Sequence, residues 1–188
     1  MKSAVIVVDM LVDNLKTGKH AAMEREGMAI VPRLRKFLDE CRGRGIPIIF
    51  ANDSFLPEDS LFGGRIEPHA IRGTSGADVI EELGPMPGDT VLPKRRFSAF
   101  FKTDLDQTLR LWEVDTVAVC GITTAVCVLS TALDAVANDF KAVLLSDVSA
   151  SHKQEVHESC LGLYARSALT PLLRVQEAKE FLEDEVVV

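Results

Sequence analysis

Cysteine is scarce in this chain and positive charge is in deficit, and each shortage excludes something. Only four cysteines, Cys41, Cys120, Cys127 and Cys160, are spread over 188 residues. None forms a CxxC pair and no histidine stands at zinc-finger spacing, so no structural zinc site is expected. Four scattered thiols do not make a disulfide framework at this size. Lys plus Arg total 21 against 28 Asp plus Glu, a net charge of −7. That balance argues against nucleic acid, which needs a basic patch to meet phosphates. No apolar run is long enough to span a bilayer, so no membrane partner is expected. There is no internal repeat, linker or low-complexity stretch. The opening MKSAVIVVDM has only the superficial look of a secretory leader, because Asp9 interrupts the apolar run and no small-residue cleavage site follows. It reads as the first strand of a cytoplasmic protein.

What is present is a periodic α/β pattern. Apolar residues make up 47% and charged residues 26%, the ordinary balance of a soluble globular chain. Ala4–Val8 is apolar without alternation, which suits a parallel strand covered on both faces. Met28–Cys41 carries apolar residues at helical spacing, and Gly43 and Gly45 can cap its end. Strands are expected at 46–51, 90–92, 116–120 and 141–145, with a final edge strand at 168–173, where Pro171 would be awkward in a central one. Helices are expected at 77–83, 104–112, from about 125, 153–166 and 176–183, with Thr103 as an N-cap. Residues 52–75 read as a long loop of the functional kind. The alternation predicts one domain over 1–188: a three-layer α/β/α, Rossmann-like fold on a mostly parallel sheet of about six strands.

In such a sheet the ligand site lies beyond the carboxyl ends of the strands. Three chemically capable residues follow strand-like runs: Asp9, Lys94 and Cys127. Singly, an Asp there is usually a turn residue, a Lys is solvated and a Cys belongs to the core. Jointly they converge on one rim. Cys127 stands in VAVCGITTAVCVLSTALDAV, in the first turn of a helix that follows a strand. Free backbone N–H groups there ease thiol ionisation and can hold an oxyanion. A thiolate can attack a carbonyl carbon, Asp9 can move the protons, and Lys94 can stabilise both anions.

These residues carry a resemblance. Asp9 in VVDMLVDN, Lys94 in LPKRRFSAFFKTDLDQTL and Cys127 in CGITTAVCVLSTALDA resemble the isochorismatase-like cysteine hydrolases, a family that includes nicotinamidases and N-carbamoylsarcosine amidohydrolases. The likeness runs from Ala4 to about Asp147. It implies an Asp–Lys–Cys triad, with Cys127 as nucleophile, Asp9 as proton carrier and Lys94 as electrostatic partner. It also implies a cis peptide between Ile122 and Thr123, and an oxyanion hole from the backbone N–H groups of Thr123 and Cys127. Its implied activity is hydrolysis of a small amide or carbamoyl C–N bond through a thioester-like acyl-enzyme, in a homodimer or homotetramer that takes a small-molecule substrate.

The chain also departs from that family. Leu11 and Asn14 replace the usual Gln and Phe of the opening motif. In nicotinamidases a metal motif begins with Asp and has His two and six positions on. Here Asp53 is followed by Phe55 and Asp59, so no metal and no cofactor is expected, and Asp53 and Asp59 read as loop and capping residues. His69 in IEPHAIRGTSG is a candidate for the substrate pocket with Asn14, Phe97 and Phe100. His20, His152 and His157 are expected to be exposed, and Arg95 or Arg96 to be solvated or to meet a substrate carboxylate. Asn14 and Asp13 at the mouth suggest a small polar amide rather than nicotinamide. Two alternatives stand beside the amidase reading: a vinyl-ether hydrolase of the isochorismatase type, whose chemistry does not need the thiol, and a non-catalytic thiol redox or ligand-binding protein.

Overall fold

A computed structural model describes residues 2–64 and 66–185. Met1, Arg65 and Val186–Val188, which the single-domain reading includes, lie outside the described residues. Six strands form one parallel sheet: β1 Ser3–Val8, β2 Ile48–Asp53, β3 Thr90–Lys94, β4 Thr116–Ile122, β5 Lys141–Ala150 and β6 Leu173–Gln176. Their order across the sheet is β3-β2-β1-β4-β5-β6. The helices are α1 Val12–Leu15, α2 Ala21–Gly43, α3 Leu105–Leu111, α4 Leu129–Ala137, α5 Gln154–Tyr164 and α6 Ala178–Asp184. No helix among the described residues is long and apolar enough to cross a membrane.

The unbroken apolar run of β1 is what places it at the centre. Val5 and Val7 pack on one face, with Leu34 and Leu38 of α2 and Phe181 of α6. Ala4, Ile6 and Val8 pack on the other, with Leu109 of α3, Ala132 of α4 and Leu161 of α5. A strand with apolar side chains on both faces can only sit between two helical layers. The three-layer α/β/α expectation holds, with a sheet that is parallel throughout.

Several boundaries differ from expectation, each for a physical reason. Gly121 does not end β4. It pairs with Val8 inside the sheet, at a φ of 103°, and a Cβ there would lie 2.2 Å from the Val8 carbonyl oxygen. The glycine permits a close backbone approach. The strand β5 runs past the expected end at 145 to Ala150: its pairing with β4 slips between Val119 and Gly121, absorbing the extra residues. The edge strand begins at Leu173, because residues 168–172 form turns around a cis Thr170–Pro171 bond. In place of a helix at 77–83 there are two short 3₁₀ turns, Ser75–Ala77 and Glu81–Leu83. Pro93 is accommodated in β3 because β3 is an edge strand.

Candidate active site

The sheet order reverses at β1, whose neighbours are β2 and β4, so a crevice opens beyond the carboxyl ends of these strands. Four neighbouring strands each deliver one reactive residue there. Asp9 follows β1, with a left-handed φ of 54° that turns the chain off the sheet. Asp53 and Lys94 are paired partners at the ends of β2 and β3. Cys127 follows β4, within a π-helical turn, Thr124–Val128, that leads into α4.

The four side chains are buried and meet. Lys94 is fully buried, and its Nζ donates to Asp9 Oδ2 at 2.9 Å and to Asp53 Oδ1 at 2.5 Å. The other oxygen of Asp9 accepts the Asp53 backbone N–H at 2.8 Å. Carboxylate oxygens of Asp9 and Asp53 lie within 4.8 Å of each other and of Cys127 Sγ. Burial opposes the Lys94 charge, but Asp9 and Asp53 outweigh it and hold the ammonium above its ordinary range. Burial raises the Asp53 pKa, the charge of Asp9 adds to this, and Lys94 offsets only part. Burial, then Asp9, also push the Cys127 thiol well above its usual value, with Lys94 opposing. Against the expectation of an eased thiol, burial and the neighbouring carboxylates keep the proton on the sulfur, and a proton acceptor beside it becomes necessary.

The turn around Cys127 is braced from both sides. The Ile122–Thr123 peptide is cis. The Val126 N–H donates to the Thr123 carbonyl at 3.0 Å. The Thr131 hydroxyl donates to the Cys127 carbonyl at 2.8 Å and accepts the Ala99 N–H at 3.0 Å, which ties α4 to the segment after Lys94.

Beside these groups lies a cavity of about 470 Å³, bordered by Asp9, Asp53, Thr123 and Cys127. Its walls are largely apolar, with Met23, Phe55, Leu61, Ile66, Phe97 and Val126, and His20, His69 and His152 border it too. His69 packs edge-on to Phe55 at 5.3 Å between centroids and gives its Nδ1 hydrogen to the Glu67 carbonyl at 2.8 Å. Phe97 and Asn14 border the cavity. Phe100 does not: it turns into the core against Phe140, 5.9 Å away. The Asn14 amide donates inward to the Asp9 carbonyl at 3.0 Å, and the Asp13 carboxylate accepts the Ala70 N–H at 2.7 Å. Asn14 thus spends one amide hydrogen on the backbone while still bordering the cavity, and Asp13 is engaged by the loop at Ala70.

Other residues also sit differently from expectation. Asp53 is part of the site rather than a loop residue. Arg95 is exposed and Arg96 partly so, yet neither is left free for a substrate carboxylate: both pair with buried Asp59, at 2.8 and 3.2 Å. Arg95, helped by the Leu56 N–H, holds the Asp59 carboxyl well below the usual range. His157 is buried, with Nδ1 2.8 Å from the Thr124 hydroxyl. A nicotinamidase-type metal does not fit these residues. Of the three motif positions, Asp53 is bound to Lys94, Phe55 has no donor atom, and Asp59 is bound to arginines. The Lys94 ammonium already supplies the cation that Asp9 and Asp53 require.

A family model for the isochorismatase domain matches residues 3–176. The chain belongs to that family. An isochorismatase-like hydrolase from Alkaliphilus metalliredigens is 34% identical with a TM-score of 0.86, over 98% of this chain and all of that one. The N-carbamoylsarcosine amidase of Thermoplasma acidophilum is 30% identical with a TM-score of 0.79, over 95% of this chain and 97% of that one. The ureidoacrylate amidohydrolase RutB of Pantoea ananatis is 29% identical, over 79% of this chain and 69% of that protein. The resemblance seen in the three motifs is therefore a family relationship, and the chain is an isochorismatase-family hydrolase.

Proposed function

We propose that this hydrolase cleaves the C–N bond of a small amide or carbamoyl compound, with Cys127 as nucleophile, Asp9 as proton carrier and Lys94 as their electrostatic partner. The observation that carries the reading is the meeting of a thiol, a carboxylate and a buried ammonium at a cavity wall. The amidase and amidohydrolase among the similar proteins support it.

In the first step Cys127 Sγ bonds to the carbonyl carbon as its proton passes to Asp9. The carbonyl oxygen becomes an oxyanion, held by the backbone N–H groups of Thr123 and Cys127. Collapse breaks the C–N bond, and Asp9 returns the proton to the leaving nitrogen. Water then attacks the thioester and gives a proton to Asp9. The acid departs, and the sulfur recovers that proton. Lys94 stays protonated throughout and offsets the charge moving between sulfur and carboxylate. Desolvation keeps the resting thiol neutral, so the thiolate and the protonated Asp9 form together only when a substrate is seated.

The cavity walls favour a substrate whose acyl part is apolar, since apolar surface moved from water to Met23, Phe55, Leu61 and Phe97 contributes about 25 cal/mol per Å². An ammonia-release screen tests the proposal, comparing nicotinamide, short aliphatic amides and N-carbamoyl amino acids. We expect turnover that Cys127→Ala abolishes, with apolar amides leading in kcat/KM. Release that persists in Cys127→Ala would sink the mechanism. A lead for the N-carbamoyl amino acids would sink only the substrate preference. A cytoplasmic homo-oligomer is part of the same proposal, with size-exclusion chromatography and light scattering as its check.

A further inference from the structure

Thr124 opens the turn that carries Cys127, and it is fully buried. Its contacts to α5 are specific. The hydroxyl lies 2.8 Å from His157 Nδ1, and the Cys160 thiol donates to the Thr124 carbonyl at 3.9 Å. His157 and Cys160 are three residues apart, so they share one face of α5. Thr124 thus has both its hydroxyl and its carbonyl tied to a helix that contributes nothing else to the reaction. On either side of it stand the two residues whose N–H groups face the oxyanion in the proposal above, Thr123 and Cys127. At the other end of the turn Thr131 bonds the Cys127 carbonyl. The turn is therefore pinned at two points, one on α4 and one on α5.

We infer that His157 is a positioning residue, which fixes the Thr124 hydroxyl and thereby aims the Thr123 and Cys127 N–H groups at the reacting oxygen. The inference rests on the oxyanion assignment proposed above. A buried side chain used only for packing would need no ring nitrogen, and an apolar residue would fill the space without a polar group to satisfy. Here the ring nitrogen meets the hydroxyl of the residue next to the proposed oxyanion donor. Burial pulls the His157 pKa below its usual value, against the opposing influence of the Ser146 carbonyl and Glu158, so the ring stays neutral near pH 7. A misdirected donor costs rate steeply: displacements of about 1 Å can cost about a hundredfold.

The test uses the full chain and two readouts. The first needs no amide substrate. Benzaldehyde adds to the thiol: Cys127 Sγ bonds to the aldehyde carbon, the C=O π bond opens, and the thiol proton ends on the new oxygen. That oxygen occupies the oxyanion position, so the aldehyde protects Cys127 from iodoacetamide only where the turn is correctly aimed. We expect His157→Leu and Thr124→Val each to weaken this protection by about tenfold or more, and the double variant to be no worse than either single. Thr124→Ser keeps the hydroxyl, and His157→Asn keeps a polar atom near Nδ1. Both should retain most of the protection. The second readout is turnover of the best amide, where the same variants should lower kcat with KM changed less than about threefold. Additive losses, equal losses in His157→Asn and His157→Leu, or unchanged protection in His157→Leu would overturn the inference. Absence of protection in the unmodified protein would overturn it as well. Protection that follows the expected order while no amide is hydrolysed would sustain the role of His157 and remove the amidase reading instead.

Discussion

At Cys127 burial and two carboxylates hold the proton on, and one ammonium works against them. The sign of a change at Asp53 follows from this. At the high pH where the thiol titrates, Asp53 is ionised despite its raised pKa, and its negative charge opposes the thiolate. Asp53→Asn should therefore shift the pH midpoint of Cys127 alkylation downward. The measurement is the rate of iodoacetamide labelling against pH, mapped by mass spectrometry, and an upward shift would contradict the arrangement. Lys94 gives a second case. Its removal leaves Asp9 and Asp53 buried without a cation, so Lys94→Ala should lose activity by orders of magnitude and also destabilise the fold, by about 3–5 kcal/mol. Protonation relieves stranded carboxylates, so the stability deficit should grow as pH rises. Urea unfolding at pH 5.5 and pH 8 checks this, and a deficit that shrinks with pH would count against it. Asp9, Lys94 and Cys127 were legible in the sequence because each follows a strand-like run. Asp53 ends β2 as well, but only the structure shows β2 reaching past Ala51. His157 left no signal, because its partner Thr124 lies 33 residues earlier and only the packing of α5 brings them together.

Among the elements, the segment after β2 has a small core of its own. Leu11, Phe55 and Ala70 are buried together, with Phe62 and Val79 against them. Asp13 of α1 fastens this segment through the Ala70 N–H, and Gly76 closes over the carboxylate: a Cβ there would lie 2.2 Å from Asp13 Oδ2. Gly76→Ala should force Asp13 aside and loosen the wall formed by Phe55, Leu61 and His69. The expected result is a KM raised severalfold with kcat less affected, and faster limited proteolysis within residues 54–80. An unchanged KM would mean that the segment is held independently of Asp13. Glycine and proline marked this stretch as a loop in the sequence, and its length marked it as functional. Its core was not legible, because its apolar residues follow neither a helical nor a strand period. The same limit explains the edge strand. Pro171 identified an edge correctly, but the turns around it displace β6 to Leu173.

For the whole molecule, apolar runs separated by amphipathic helices were enough to predict a parallel sheet between helical layers. They did not give the strand order, because a run covered on both faces does not specify its neighbours. That order decides where the chemistry comes from. The first half of the chain supplies Asp9 and Asp53, the second supplies Lys94 and Cys127, and the halves interleave, with β3 beside β2 and β4 beside β1. The Pro85–Gly88 turn between them is exposed. Cut there, the protein becomes two fragments, each holding half of the reactive set and an unpaired edge of the sheet. Neither fragment alone should release ammonia from an amide that the intact chain hydrolyses, while mixing the two should restore a measurable part of the rate. Activity from one fragment would disprove the four-strand site. With both fragments silent alone and active together, the enzyme behaves as a logical AND gate: two silent inputs whose physical meeting is the only condition for an output.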